Sequence, residues 1–413
     1  MNEEKREETV ESSQKEVINP KLNSRDLLLS LAAILISACV LSGAIPSAFV
    51  GLASIALFVY AVIAIRNAGA IVQLVLSALI ATVLTFLPIC GAAVLALIIG
   101  TGVLAWLFMT LPKYKWAPIG LLAVAYALGF LVSADAITPL LSLAFLPAAA
   151  LMAWAHARDL GRTATVLHAF LGFLVAILAA LCTLLFRTYG AVNYDVLMTF
   201  ITDLKALFVT IGTEAGKILW ETVEATAAQS ALPADSLEKL RESYAQVFSE
   251  SNLQVTADTL MGLAPALVGV PALILSYLAN VVLLRKYYNT EWRSRMTPAA
   301  CTLDISPAAA VIYVLCMVLV IFVNEQSVFL MAITNMFFLL MPALALTGVN
   351  VVLYNSRRSR GWVGKASILL LAAAICCMGI NCLYFLALWG AYVIVSSALH
   401  QKILQKMKDQ NEK

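Results

Sequence analysis

Apolar residues run along this chain in long stretches broken by short polar turns, and few of the stretches show the one-sided periodicity of a soluble helix or strand. A helix needs about 20 apolar residues to cross about 30 Å of hydrocarbon. On that measure the sequence predicts spans at 27–43, 47–65, 70–87, 89–110, 117–134, 137–155, 164–185, 257–284 with internal prolines, 306–323 and 327–353. The final apolar tract, 362–400, is nearly twice one crossing, because each helical residue rises only about 1.5 Å. It is expected to divide near Gly379-Ile380-Asn381 into two short spans. The expected fold is therefore all-α: a polytopic transmembrane helix bundle of about 12 spans with one helical extracytoplasmic insertion.

Composition agrees, since 62% hydrophobic and 12% charged residues cannot be hidden in a soluble core of 413 residues. The positive charges then orient the bundle. With the N-terminus in the cytoplasm, 22 of the 27 lysines and arginines fall in tails and short turns on the cytoplasmic side. Arg187, Lys205, Lys217, Lys239 and Arg241 remain, all in or beside one long loop, and long loops translocate largely regardless of charge. Both termini are thus expected in the cytoplasm and 188–256 outside. The first 25 residues, with six glutamates among five basic residues, lack the basic-then-apolar order of a cleavable signal and read as a disordered cytoplasmic tail. The expected organisation is a tail at 1–25, a seven-span region at 26–187, the outer segment at 188–256, a second membrane region at 257–400 and a tail at 401–413.

The outer segment carries nine acids against four basic residues. Leu197, Phe200, Ile201, Leu204, Phe208 and Ile211 recur at three and four, giving one apolar stripe of an amphipathic helix. Asp235-Ser-Leu-Glu238 has the spacing of a capping box for a second helix through about Phe248. A helical hairpin follows, able to cap the bundle, bind a partner or lie on the membrane surface. Within it Gly212-Thr-Glu-Ala-Gly216-Lys217 imitates a phosphate loop. The spacing is one residue short, Ile218 stands where a magnesium-binding Ser or Thr belongs, and no strand precedes it, so no nucleotide site is expected.

Catalytic constellations are missing. No carboxylate pair lies at depth, no HExxH motif occurs, and none of the eight cysteines forms a CxxC pair, so neither enzyme activity, cofactor nor metal is expected. The polar residues kept at depth are His168, Asn280, Asn335, Thr347, Asn350 and, at the break in the last tract, Asn381. Asn335 and Asn350 project about 60° apart on one side of the tenth span, with Pro342 between them. A proline frees a carbonyl and is tolerated where neighbours or a cavity satisfy it. These six form the candidate ligand-pocket set, and interhelical packing is the other reading of the same amides. Small residues at four-residue spacing, Ala92, Ala96 and Gly100, then Gly172, Ala176 and Ala180, allow close helix approach, whether internal or with another protein.

The order of features resembles the YybS-like family of uncharacterised bacterial membrane proteins, itself similar to the S components of energy-coupling-factor transporters. The likeness rests on Pro46 and Arg66-Asn-Ala-Gly69, the long outer loop, Arg285-Lys286 after a Pro-kinked span, Leu303-Asp-Ile-Ser-Pro307, Asn335 and Leu346-Thr-Gly348-Val. Thr347 stands where the family tends to have Gln, and Trp389-Gly-Ala-Tyr392 where it tends to have an acid. The resemblance implies a bacterial plasma membrane and binding or transport of a small molecule, with separate ATPase and coupling subunits as partners. Few charges suit an uncharged or amphipathic solute, and besides the lipid bilayer no nucleic-acid partner is expected. The alternative is a non-transporting scaffold that binds proteins through its outer hairpin or tails.

Overall fold

A computed structural model of the chain describes residues 24–65, 88–110, 116–133, 137–230, 234–287, 303–323, 327–358 and 380–411, with isolated positions between 362 and 374. The helices are α1 (Ser24–Leu41), α2 (Ser47–Ile65), α3 (Pro88–Thr110), α4 (Trp116–Ser133), a 3-10 turn (Thr138–Leu143), α5 (Leu146–Ala157), α6 (Arg162–Tyr189) and α7 (Tyr194–Ser230). They continue with α8 (Ala234–Val247), α9 (Glu250–Gly262), α10 (Ala264–Tyr287), α11 (Pro307–Phe322), α12 (Val328–Arg358) and α13 (Ile380–Asn411). Nine stretches among the described residues are long and apolar enough to cross a membrane, and α2 and α11 contribute shorter apolar helices.

Eight of the nine coincide with expected spans; the ninth, Tyr194–Ala227, falls in the segment expected outside. The expected span 70–87 lies outside the described residues, as do the 1–25 tail up to Asn23 and much of 362–379. Along α2, Phe49, Leu52, Ile55 and Val59 recur at three and four with about half or more of each side chain exposed, while Ala53, Leu57 and Tyr60 turn inward. Such a stripe is unfavourable in water and solvated by acyl chains. The chain is an integral, multi-pass membrane protein.

Packing divides the chain into two compact units, residues 1–158 with 277–296, and residues 159–276 with 297–413. Hydropathy alone suggests borders at 187 and 257; the packing border instead falls before α6 and within α10. In the first unit α3 is the central helix, buried at every residue from 101 to 107. A helix apolar all round belongs in such a position. A Cβ at Gly102 would lie 2.6 Å from the Ala279 carbonyl oxygen, so α3 and α10 approach backbone to backbone. Ala92 and Ala96 are fully buried and Gly100 lies under the Phe145 ring, so this ladder serves internal packing.

In the second unit, α11, α12 and α13 enclose a core of Tyr313, Phe337, Met341, Leu344 and Leu386. Phe337 stacks on Tyr313 at 4.9 Å and on Tyr384 at 5.8 Å between centroids. Further along, Gly348 of α12 meets Gly390 of α13, and a Cβ at either would collide with a main-chain carbonyl, that of Leu386 or Leu344. The two meeting points advance together, so α12 and α13 run in the same direction. The expected division near Gly379-Ile380-Asn381 borders residues 375–379, which lie outside the described residues.

The segment expected outside is a helical hairpin. Its first arm, α7, has 37 residues and a length of about 55 Å. The second arm, α8 and α9, descends beside it. Lys205 pairs with Asp258 at 2.6 Å, Gly212 receives Leu253, Gly216 receives Phe248, and Trp220 meets Tyr244, an antiparallel register. Helix α8 starts at Ala234, directly after Pro233, so Asp235 lies in the first turn rather than at the cap. The expected span 257–284 also changes: its first turn and a half completes α9, and the membrane helix starts at Ala264 with Pro265 in its first turn and Pro271 carried inside.

Candidate functional site

Asn335 is buried in α12 with its amide committed to main chain. Its Oδ1 accepts from the Ala266 N–H at 2.9 Å, and its Nδ2 donates to the carbonyls of Gly262 at 2.8 Å and Met331 at 2.9 Å. Gly262 ends α9 and Ala266 lies in the first turn of α10. Helix ends leave carbonyls and N–H groups without intrahelical partners; Asn335 satisfies the Gly262 carbonyl and shares the Ala266 N–H with the Leu263 carbonyl, which lies 3.0 Å from it. The side chain thus clasps the junction between hairpin and membrane helix.

The other candidates separate. Thr347 donates to the Ala343 carbonyl at 3.2 Å, the usual return bond of a helical threonine. Asn350, two residues beyond the Gly348–Gly390 crossing, is buried and its Nδ2 has no partner among the described residues. His168 bonds through Nδ1 to the Ala164 carbonyl at 2.7 Å, and Asn381 is exposed on the first turn of α13. Asn280 stands apart from these five, in the part of α10 that belongs to the first unit. It is 4% exposed, and its Oδ1 has no partner among the described residues.

Asn280 has company that the sequence did not single out. Ser37 of α1, Thr101 and Trp106 of α3 and Ser142 of the 3-10 turn are also buried in the first unit, each with a side-chain polar atom that has no partner among the described residues. Ser30, Ser54 and Thr110 in the same unit return their hydroxyls to the carbonyl four residues back. Ser37 and Thr101 do not. A signal was present, since Thr101 lies between Gly100 and Gly102 in an otherwise apolar span, the kind of place where backbones come close and a hydroxyl is costly to leave unmatched. Chemically the set offers hydroxyls, one amide carbonyl and one indole N–H on an apolar background. Among the described residues no cluster of His, Cys, Asp and Glu could hold a metal ion.

Comparison with family models, with curated proteins and with solved structures gives no match to this chain.

Proposed function

We propose that this membrane protein binds or transports a small uncharged or amphipathic molecule in the manner of an S component, with its solute site in the first unit. One observation carries the reading. Of seven described buried side-chain polar atoms without a partner, five belong to that unit. Each such atom costs about 1–3 kcal/mol, and native proteins keep few of them. A solute presenting hydroxyl, carbonyl or amide groups to Ser37, Thr101, Ser142 and Asn280 would recover that cost. Under this reading the chain sits in a bacterial plasma membrane with both termini cytoplasmic and 188–256 outside, and any ATPase and coupling subunit are separate chains. The parallel course of α12 and α13 supports a C-terminal tail on the same side as the arginines at 357–360. The resemblance to the YybS-like family belongs to this proposal.

Thermal unfolding of the detergent-solubilised protein against a panel of small polar solutes tests it, because a ligand of the folded state raises stability by RT ln(1 + [L]/Kd). Asn280→Leu should leave the ligand-free protein at least as stable, the unpaired carbonyl being gone, and should abolish the shift. A shift of unchanged size in that variant sinks the assignment. The scaffold reading draws on a different feature, the exposed Leu207, Ile211, Ile218 and Leu219 along α7. It would be favoured by capture of a partner protein that is lost when the hairpin is deleted.

A further inference from the structure

Lys286 stands two residues past the last apolar position of its span, where a lysine ordinarily snorkels to water. Here the ammonium turns into the protein. Its Nζ is 3.2 Å from Ser30 Oγ and 5.2 Å from the ring centroids of both Tyr60 and Trp106. Ser30, Tyr60 and Trp106 are all at least nine-tenths buried. The start of α1 and the ends of α2, α3 and α10 therefore meet at one end of the first unit, around one positive charge. Lys286 itself is half-buried, so part of the side chain remains exposed.

The hydrogen count around that charge does not balance. Ser30 donates its hydroxyl hydrogen to the Asp26 carbonyl at 2.7 Å, so its oxygen acts as acceptor toward Lys286 and toward the Tyr60 hydroxyl 3.3 Å away. An ammonium carries three N–H groups, and Ser30 takes one. The indole N–H of Trp106 is buried and has no acceptor among the described residues. The two rings stabilise the cation through their faces and supply no lone pair for its remaining hydrogens. The Asp26 carboxylate attracts Lys286 without forming an ion pair among the described residues. Donors are in surplus, an aromatic pair flanks them, and the place is the edge of the hydrocarbon.

We propose that this cage is a phosphate site, in which a phosphate group of the kind borne by membrane lipid headgroups accepts from the free N–H groups of Lys286 and from the Trp106 indole. Charge-assisted bonds from an ammonium to phosphate oxygens are the strong ones, and a tetrahedral phosphate offers enough oxygens to serve two donors in different directions. Aromatic side chains and lysines at headgroup depth are the usual company of lipid headgroups. The lipid-facing stripe of Leu52, Ile55 and Val59 leads along α2 toward Tyr60 and gives acyl chains a surface to lie on. This site shares the Trp106 indole with the five atoms counted for the solute reading, while the solute contacts proposed there, Ser37, Thr101, Ser142 and Asn280, are not part of it.

The test is thermal unfolding of the full chain in micelles of a non-ionic, phosphate-free maltoside detergent and a phosphate-free buffer, titrated in one arm with phosphatidylglycerol and in the other with inorganic phosphate. Phosphatidylglycerol should stabilise the wild type, and Lys286→Met should weaken its apparent affinity at least about tenfold, as loss of a charged hydrogen bond requires. Protection by inorganic phosphate alone, lost in the same variant, supports the site with free phosphate as its source. Stabilisation that is equal in wild type and Lys286→Met, as general attraction of lipids to surface lysines would give, overturns the proposal. So does a wild type that neither ligand stabilises. If Lys286→Met does not fold, Trp106→Phe removes only the indole N–H and should weaken the titration several-fold; an unchanged titration there overturns the proposal equally.

Discussion

Gly216 of α7 lies directly against Phe248, which follows α8: a Cβ added to the glycine would stand 2.7 Å from the ring's Cγ. One turn earlier, Gly212 has the same relation to Leu253, where the added carbon would stand 2.8 Å from Cδ2. The glycine pair that imitates a phosphate loop is thus a groove for two apolar knobs of the opposite arm.

Gly216→Ala is expected to cost about 1–3 kcal/mol through overpacking, moderated because the neighbour is a side chain that can turn. Hydrogen exchange should show the loss locally, with faster exchange along α7, α8 and α9 and little change in α12 and α13. Uniform loss of protection across the chain would count against a separately packed hairpin.

Gly348→Ala should be worse. At the crossing of α12 and α13 the added carbon meets the Leu386 carbonyl and the Gly390 N–H, both backbone, so no rotamer relieves the clash. The expected loss is about 3 kcal/mol or more, at the large end for a single substitution. The comparison of the two melting temperatures decides the matter: Gly348→Ala must fall below Gly216→Ala.

Asn335→Leu removes the clasp at the α9–α10 junction and leaves the Gly262 carbonyl and Ala266 N–H without their side-chain partner. The Ala266 N–H keeps the Leu263 carbonyl, so the stranded group is the Gly262 carbonyl; at about 1–3 kcal/mol for it, a lowered melting temperature and loosened hairpin are expected even with no ligand present. A variant that melts like the wild type would show that the junction does not depend on Asn335.

The orientation is tested by single cysteines at 230 and 290 in a cysteine-free background, labelled in intact cells with an impermeant thiol reagent. Position 230 should label and position 290 should not. The opposite result reverses the membrane topology.

Length and hydropathy suffice to announce most of the spans, because crossing a bilayer demands an apolar run of fixed length whatever the neighbours are. They also foresee the helical pairing within 188–256. Hydropathy cannot tell a lipid-exposed helix from a surface arm when both are apolar enough, so α7 meets the length and composition of a span while pairing along its length with α8 and α9. It also cannot locate the break at Leu263, because Pro265 and Pro271 both read as interruptions and only the first stands near a helix end.

For the polar residues the division is sharper. An asparagine in a span announces a need for partners, and the sequence determined that Asn280, Asn335 and Asn350 carry that need. Which partner answers it is a matter of a few ångströms between segments distant in the chain, and only the tertiary structure set Asn335 on the ends of two helices while leaving the Asn280 carbonyl open. Lys286 is the same case in reverse. By sequence it is one more cytoplasmic basic residue that orients the bundle; the packing of α1, α2, α3 and α10 turns it inward onto Ser30, Tyr60 and Trp106. Charge and hydropathy act over the thickness of a bilayer and are read from the chain one segment at a time, whereas hydrogen bonds act at about 3 Å and exist only once the helices have met.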